Sequence, residues 1–171
     1  MKRGNEKLIE TKREQEIVDE LKEKFGQKII ETKVQKPRRV FVTIDSNSLI
    51  EVAEYLAHEK GFTHVSTISG LDLGKELGVI YHLIEESDLA ITLSLRANIP
   101  KENPKLSTLV KVIPGSVLYE REVHELFGVI FTGHPDLSPL ILPEKWPSGV
   151  YPLRKEWKVE DLKAKINRMR K

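Results

Sequence analysis

Leu89, Ile91, Leu93 and Leu95 alternate with Ala90, Thr92 and Ser94. A period of two fits an extended chain with one face buried and the other turned outward. Such a strand needs neighbours. Two precede it, Phe62 to Ile68 and Gly78 to Ile84, and two more flank the turn Lys36-Pro37-Arg38-Arg39, namely Ile29 to Val34 and Val40 to Ile44. Helical signals fall between and before them. Ile17, Val18, Leu21 and Phe25 mark an N-terminal helix that stops at Gly26, its first half poor in apolar residues and expected to fray. Ser48-x-x-Glu51 reads as a capping box opening a helix through Val52, Ala53 and Leu56 that stops at Gly61. After Asn103-Pro104 a short helix through Leu106, Leu109 and Val110 is expected. The pattern predicts an α+β fold: a mixed, mostly antiparallel sheet with helices on one face.

The densest charge lies further on. Tyr119, Val123, Leu126, Phe127 and Ile130 recur at helical spacing and form one apolar stripe. Glu120, Arg121, Glu122, His124 and Glu125 are then expected on the other face. Arg121 and Glu125 are four apart, as are Glu120 and His124, so each pair can meet on the helix surface for about 0.2–0.5 kcal/mol. Pro114-Gly115 breaks the chain before this segment. Ser116 is placed to cap the helix 116–128, with Glu120 near its positive end.

Residue chemistry narrows the function classes. The chain has no cysteine, which excludes disulfides, thiolate catalysis and a cysteine-ligated iron–sulfur cluster within it. His124-Glu125 is followed three residues later by Gly128, so the zincin pattern of two histidines one turn apart is missing. Glu120, His124 and His134 are the alternative ligand triple, and with them a free-standing metalloenzyme is the alternative class. Gly70-Leu71-Asp72-Leu73-Gly74 lacks the spacing of a phosphate loop and reads as a turn ending a strand. No apolar run reaches 18 residues and no signal peptide is evident, so a cytoplasmic protein is expected.

Beyond Gly128 the character changes. Residues 129–157 hold five prolines with Trp146, Tyr151 and Trp157, too much proline for a helix or central strand and too apolar for a disordered linker. The division expected is an α+β domain over 1–128 and an extended arm with a basic helix over 129–171. The arm either packs along a neighbour or wraps over its own domain. Residues 154–171 carry eight basic and three acidic side chains. Val159, Leu162, Ile166 and Met169 recur at helical steps there. An acidic protein neighbour, a solvated surface, and anionic lipid or nucleic acid all fit this tail, though the lack of interleaved aromatics disfavours single-stranded nucleic acid.

One resemblance orders these features. Glu120-Arg121-Glu122-x-x-Glu125-Leu126-Phe127-Gly128, then Phe131, Gly133-His134-Pro135-Asp136-Leu137, Leu140 to Leu142, Trp146 and Tyr151-Pro152-Leu153-Arg154-Lys155 resemble the signature region of the C subunit of complex I. This is the NADH dehydrogenase 30 kDa subunit family, with relatives in membrane-bound [NiFe] hydrogenases. Upstream, Ser69 to Asp72 and Val79 to Leu83 are similar to the family's central strand pair. The resemblance spans roughly residues 28–156. Ser138-Pro139 stands where the family has two arginines, and Val117-Leu118-Tyr119 where it has a tryptophan-bearing run. The compact length looks most like the hydrogenase-type subunits.

The resemblance implies a non-catalytic subunit without a cofactor of its own. It would assemble with the large catalytic subunit and the iron–sulfur subunits of a membrane-bound, ion-translocating oxidoreductase, and through them with the membrane arm, with no nucleic acid involved. Iron–sulfur clusters and a nickel–iron centre would reside in those partners. A ferredoxin-linked [NiFe] hydrogenase is the expected complex, with an NADH- or ferredoxin-linked quinone oxidoreductase or a sulfur-reducing relative as the alternative. Glu120, Arg121, Glu122, Glu125, Phe127, Gly128, His134, Pro135, Asp136, Pro152, Leu153 and Arg154 are the assembly residues so implied. Among them Arg154 has no helical turn to supply a partner, and its planar fork suits a fixed carboxylate, with Glu120 and Glu122 the nearest candidates by resemblance.

Overall fold

The computed structural model describes residues 11–88 and 90–169. Leu89, at the head of the alternating strand, and Arg170, in the basic tail, lie outside the described residues, as do the first ten and, for side chains, 167–169. Five strands form the main sheet: β1 (Ile29–Lys36), β2 (Arg39–Ile44), β3 (His64–Asp72), β4 (Glu76–Ile84) and β5 (Thr92–Pro100). Their order is β1-β2-β5-β4-β3, antiparallel throughout except for the β2/β5 pair. Two helices are placed before and within this run, α1 (Lys12–Phe25) and α2 (Leu49–Lys60). The one parallel pair arises because the chain leaves β2, crosses through α2 and the β3–β4 hairpin, and returns beside it.

Alternation sorts the two faces of the sheet. Val40, Val42 and Ile44 of β2, Leu93, Leu95, Ala97 and Ile99 of β5, and Leu77, Val79, Tyr81 and Leu83 of β4 point to one side, and all are buried. There they meet Ile17, Val18 and Leu21 of α1 and Leu49, Val52, Ala53 and Leu56 of α2. The opposite face is open and polar, with His82 bridging Ser69 Oγ at 3.1 Å and Ser94 Oγ at 2.9 Å. Burial of that half-exposed ring, followed by the nearby Arg39 charge, pushes the His82 pKa down, so the row stays neutral.

Three local expectations change. Residues 105–107 are not helical: β6 (Lys105–Ser107) pairs in parallel with β7 (Ile130–Thr132), setting Leu106 opposite Phe131 in a small second sheet. Ile130 therefore leaves the helical stripe, because Gly128 takes a left-handed φ of 73° and stops α3 (Val117–Phe127) before it. Neither expected serine cap forms by its side chain. A short 3-10 turn leads into each helix, and at Ser46–Ser48 it is the Asp45 carboxylate that accepts the Asn47 N–H.

α3 lies on the same face as α1 and α2, over the edge strand β3. The approach is close because Gly70 has no side chain: a Cβ there would be driven into the Phe127 ring. Gly70→Ala is therefore expected to lower stability by about 1–3 kcal/mol through overpacking. Gly115→Ala, whose Cβ would meet Val65 at 3.4 Å, should cost under about 1 kcal/mol. Urea unfolding of the two variants checks the difference.

Candidate functional site

Helix α3 turns inward a charge expected to face outward. Glu120 is fully buried, in the first turn where the helix dipole favours a carboxylate. The Tyr81 hydroxyl donates to its Oε1 at 2.9 Å and the Leu109 N–H to the same oxygen at 2.8 Å, while the Thr108 hydroxyl bonds Oε2. Burial raises the Glu120 pKa, opposed by these bonds, and burial together with the neighbouring carboxylate holds Tyr81 well above a normal phenol. Glu120 thus ties α3 to the centre of the sheet and to the segment after β6.

The other signature charges hold the C-terminal segment, and neither expected helix-surface pair forms. Arg121 donates to the Ser138 and Pro139 carbonyls at 3.1 and 2.9 Å and to Ser138 Oγ at 2.9 Å, with Asp136 at 3.5 Å. Glu125 accepts the successive N–H groups of Leu140, Ile141 and Leu142 at 3.2, 2.7 and 2.9 Å, a nest-like anion cradle made by backbone. His124 Nδ1–H donates to the Val129 carbonyl at 2.7 Å. In the His134-Pro135-Asp136 turn, His134 Nδ1 accepts the Asp136 N–H, so its proton sits on Nε2 and is donated to the Val117 carbonyl. The two histidines and Glu120 thus serve separate structural bonds. Among the described residues no group of three His, Cys, Asp or Glu side chains is placed to hold a metal.

At the far end of α3 the arm supplies a cap. Gly128 N–H closes on the His124 carbonyl, Leu153 N–H donates to Leu126 O at 3.2 Å, and Arg154 Nε donates to Phe127 O at 2.7 Å. The Arg154 guanidinium also lies 4.5 Å over the Tyr151 ring and 3.8 Å from Glu156. The Tyr151 ring itself packs where Gly128 has no Cβ. Arg154 thus finds a helix carbonyl in place of the expected Glu120 or Glu122, because the last carbonyls of a helix lack intrahelical donors and carry its negative end. Residues 133–157 form no helix or strand. The arm folds back as turns over α3 and does not extend away from the domain. Between it and α3 lies a cleft of about 320 Å³ lined by His124, Leu142, Trp146 and Tyr151.

A second clamp escaped sequence reasoning. Asp72, at the end of β3, has a side chain only 2% exposed, and its Oδ2 accepts from Lys101 Nζ at 2.8 Å and from the Lys155 N–H at 2.9 Å. Its Oδ1 takes the Gly74 N–H at 2.8 Å. Lys101 also pairs with Glu156 at 2.6 Å. Burial pushes the Asp72 pKa up, but the Lys101 ammonium and the two backbone N–H groups prevail and hold it at about 2. The Gly70–Gly74 turn was the available signal, since a short acid beside a left-handed glycine commonly closes its own turn. Nothing in the sequence announced Lys155 as its partner.

Of the remaining assembly residues, Pro135 is exposed and Leu153 is 53% exposed, Pro152 is half-buried, and Glu122 is half-buried without a hydrogen bond or ion pair among the described residues. Fold and site define a small α+β domain whose own C-terminal segment locks its signature helix. Residues 42–163 match the model of the respiratory-chain NADH dehydrogenase, 30 Kd subunit, and the chain belongs to that family of oxidoreductase-complex subunits. It is 36% identical over 143 residues to the C subunit of the F(420)H(2) dehydrogenase of Methanosarcina mazei, covering 82% of this chain and 89% of that one. It is 30% identical to the membrane-bound hydrogenase subunit beta of Pyrococcus furiosus, covering 83% and 84%. The C/D subunit of the NADH-quinone oxidoreductase of Proteus mirabilis is 29% identical, with 83% of this chain matching 25% of that protein. Among solved structures, a chain of the membrane-bound sulfane sulfur reductase, an archaeal respiratory membrane complex, superposes with a TM-score of 0.73 at 26% identity, covering 91% and 92%.

The two buried acids differ in how their contributions respond to pH. Asp72 has a folded pKa below its ordinary 3.8, so its stabilisation is complete above that value and lost as pH falls towards about 2. Asp72→Asn should cost roughly 2 kcal/mol at pH 7, and the difference from wild type should close across that window in acid-unfolding titrations. Glu120 has the opposite sign: its raised pKa makes its contribution greatest below 4.5 and reduces it as pH rises through the folded value. Glu120→Gln keeps an acceptor for Tyr81 and Leu109 and can donate to Thr108, so it should stay within about 1 kcal/mol of wild type at neutral pH. Glu120→Ala leaves those groups unpaired and should cost about 3 kcal/mol or more in the same assay.

Proposed function

We propose that this chain is a non-redox assembly subunit. It joins the large catalytic subunit and the iron–sulfur subunits of a membrane-bound, ion-translocating oxidoreductase, and reaches the inner face of the membrane only through them. No described helix is long and apolar enough to cross a membrane. One observation carries the reading. Arg121, Glu125 and Arg154 are consumed inside the chain to fix the arm, which leaves Leu118 at 54%, Leu140 at 41% and Ile141 at 55% exposure. Leu118, Arg121 and Glu125 share one helix face, and Glu125 is bonded to the backbone of residues 140–142. The arm thus presents apolar side chains beside the unpaired Glu122 on a rigid support, as a protein interface requires.

The relative designated C/D, in which one chain carries both letters, supports the large subunit as the partner. Clusters and any nickel–iron centre are assigned to partner chains, since this one has no cysteine. The ferredoxin-linked [NiFe] hydrogenase expected from the sequence draws support from the hydrogenase relative. The higher identity to a relative named for F(420)H(2) dehydrogenation favours a dehydrogenase-type complex as the second reading.

Co-expression with the large subunit encoded in the same genome tests the assembly role. Leu118→Asp combined with Ile141→Asp should leave the isolated chain's thermal midpoint unchanged and reduce co-purified large subunit at least about tenfold, as loss of an apolar interface centre does. Arg154→Ala should behave differently and lower the isolated-chain midpoint, because its acceptor is the Phe127 carbonyl of the same chain. Failure of the wild-type chain to retain the large subunit, or full retention by the double variant, would refute the proposal.

A further inference from the structure

α4 (Val159–Met169) is 11 residues long, and a helix of that length is marginal in water unless it buries a face. None of its side chains from Val159 to Ile166 is buried, and Val159 is 59% exposed. The helix nevertheless starts from a fixed point. Lys155 and Glu156 are held by Asp72 and Lys101, and the Lys165 ammonium stands 4.9 Å over the Trp157 ring. The seat is incomplete within this chain, for the Trp157 indole N–H is enclosed without an acceptor.

The side-chain order on α4 describes what would complete it. At 3.6 residues per turn, Val159, Leu162 and Ile166 form one stripe, with Lys163 along one flank and Lys165 along the other. Glu160 and Asp161 fall on the far side. Carboxylates facing the helix would therefore be attracted at the rims of the apolar stripe. A membrane surface fits less well. Residues 159–169 hold three basic and two acidic side chains and no aromatic, whereas an interfacial helix needs a strongly cationic face and bulky apolar anchors.

We propose that α4 lays the Val159, Leu162 and Ile166 stripe into an apolar groove of a neighbouring protein subunit, and that carboxylates on both rims of that groove pair with Lys163 and Lys165. The inference rests on the assembly reading for the identity of the complex, but concerns a surface separate from Leu118 and Ile141. The test follows amide hydrogen exchange over residues 159–166 in the full chain, alone, with vesicles of phosphatidylcholine and phosphatidylglycerol, and within the purified complex. Exchange should be nearly unprotected in the first two states and slowed at least about tenfold in the third. Lys163→Glu with Lys165→Glu should lose most of that protection while the chain stays in the complex through its other surface. Equal protection in the isolated chain would mean that its own domain covers the helix, and equal protection by vesicles would mean a membrane surface; either overturns the proposal, as does protection untouched by charge reversal. An assembled complex in which α4 exchanges freely overturns this inference alone, whereas a wild-type chain absent from the complex overturns the assembly reading and this inference with it.

Discussion

The C-terminal end of α3 is the constraint on which the surrounding structure depends. A helix ending inside a protein leaves carbonyls without donors, and a buried one cannot turn to water for them. Here the donors come from the same chain some 25 residues on: the Leu153 N–H and the Arg154 guanidinium reach Leu126 and Phe127. Satisfying those carbonyls forces the arm to double back. Once it does, Glu125 and Arg121 lie beneath its middle and bind its backbone. Phe127 and Gly128 join the two sides of the structure, the Phe127 ring resting on Gly70 of the sheet and the Tyr151 ring of the arm resting on Gly128.

Buried charge is used sparingly and always with partners. Glu120 and Asp72 each accept three hydrogen bonds, one from groups around the second sheet and the other from the arm and the β5–β6 connection. Their pKa values move in opposite directions because their donors differ. Asp72 meets an ammonium, which together with two backbone donors outweighs burial, whereas Glu120 is hydrogen-bonded by neutral groups alone, which do not. Buried polar groups of this kind select one arrangement more surely than they add stability. That suits a chain that must hold an arm in a single position for others to recognise.

Much of the fold is legible from period and punctuation. The five strands of the main sheet, the helices ending at Gly26 and Gly61, and the C-terminal helix follow from alternation, 3.6-residue recurrence and left-handed glycines. The failures share a cause. Leu106 fits a short helix and Ile130 fits the signature stripe by spacing, yet the two segments pair with each other as β6 and β7. A three-residue strand carries no periodicity of its own, so only its partner 25 positions away defines it. The site is legible as a list of residues. The bonds each makes are not, because helical spacing says which side chains are neighbours on a surface and not whether that surface is covered.

From the sequence alone came the fold class, the family and the absence of cysteine. These depend on local order and residue type, which are present in the chain before it folds. Tertiary structure decided that Glu120 points inward, that Arg154 caps a helix, and that Asp72 meets Lys101 and Lys155. Each of these joins groups far apart along the chain, and the energy of such a contact depends on burial and on the angle of approach, which exist only once the sheet, the helix and the arm have closed on one another.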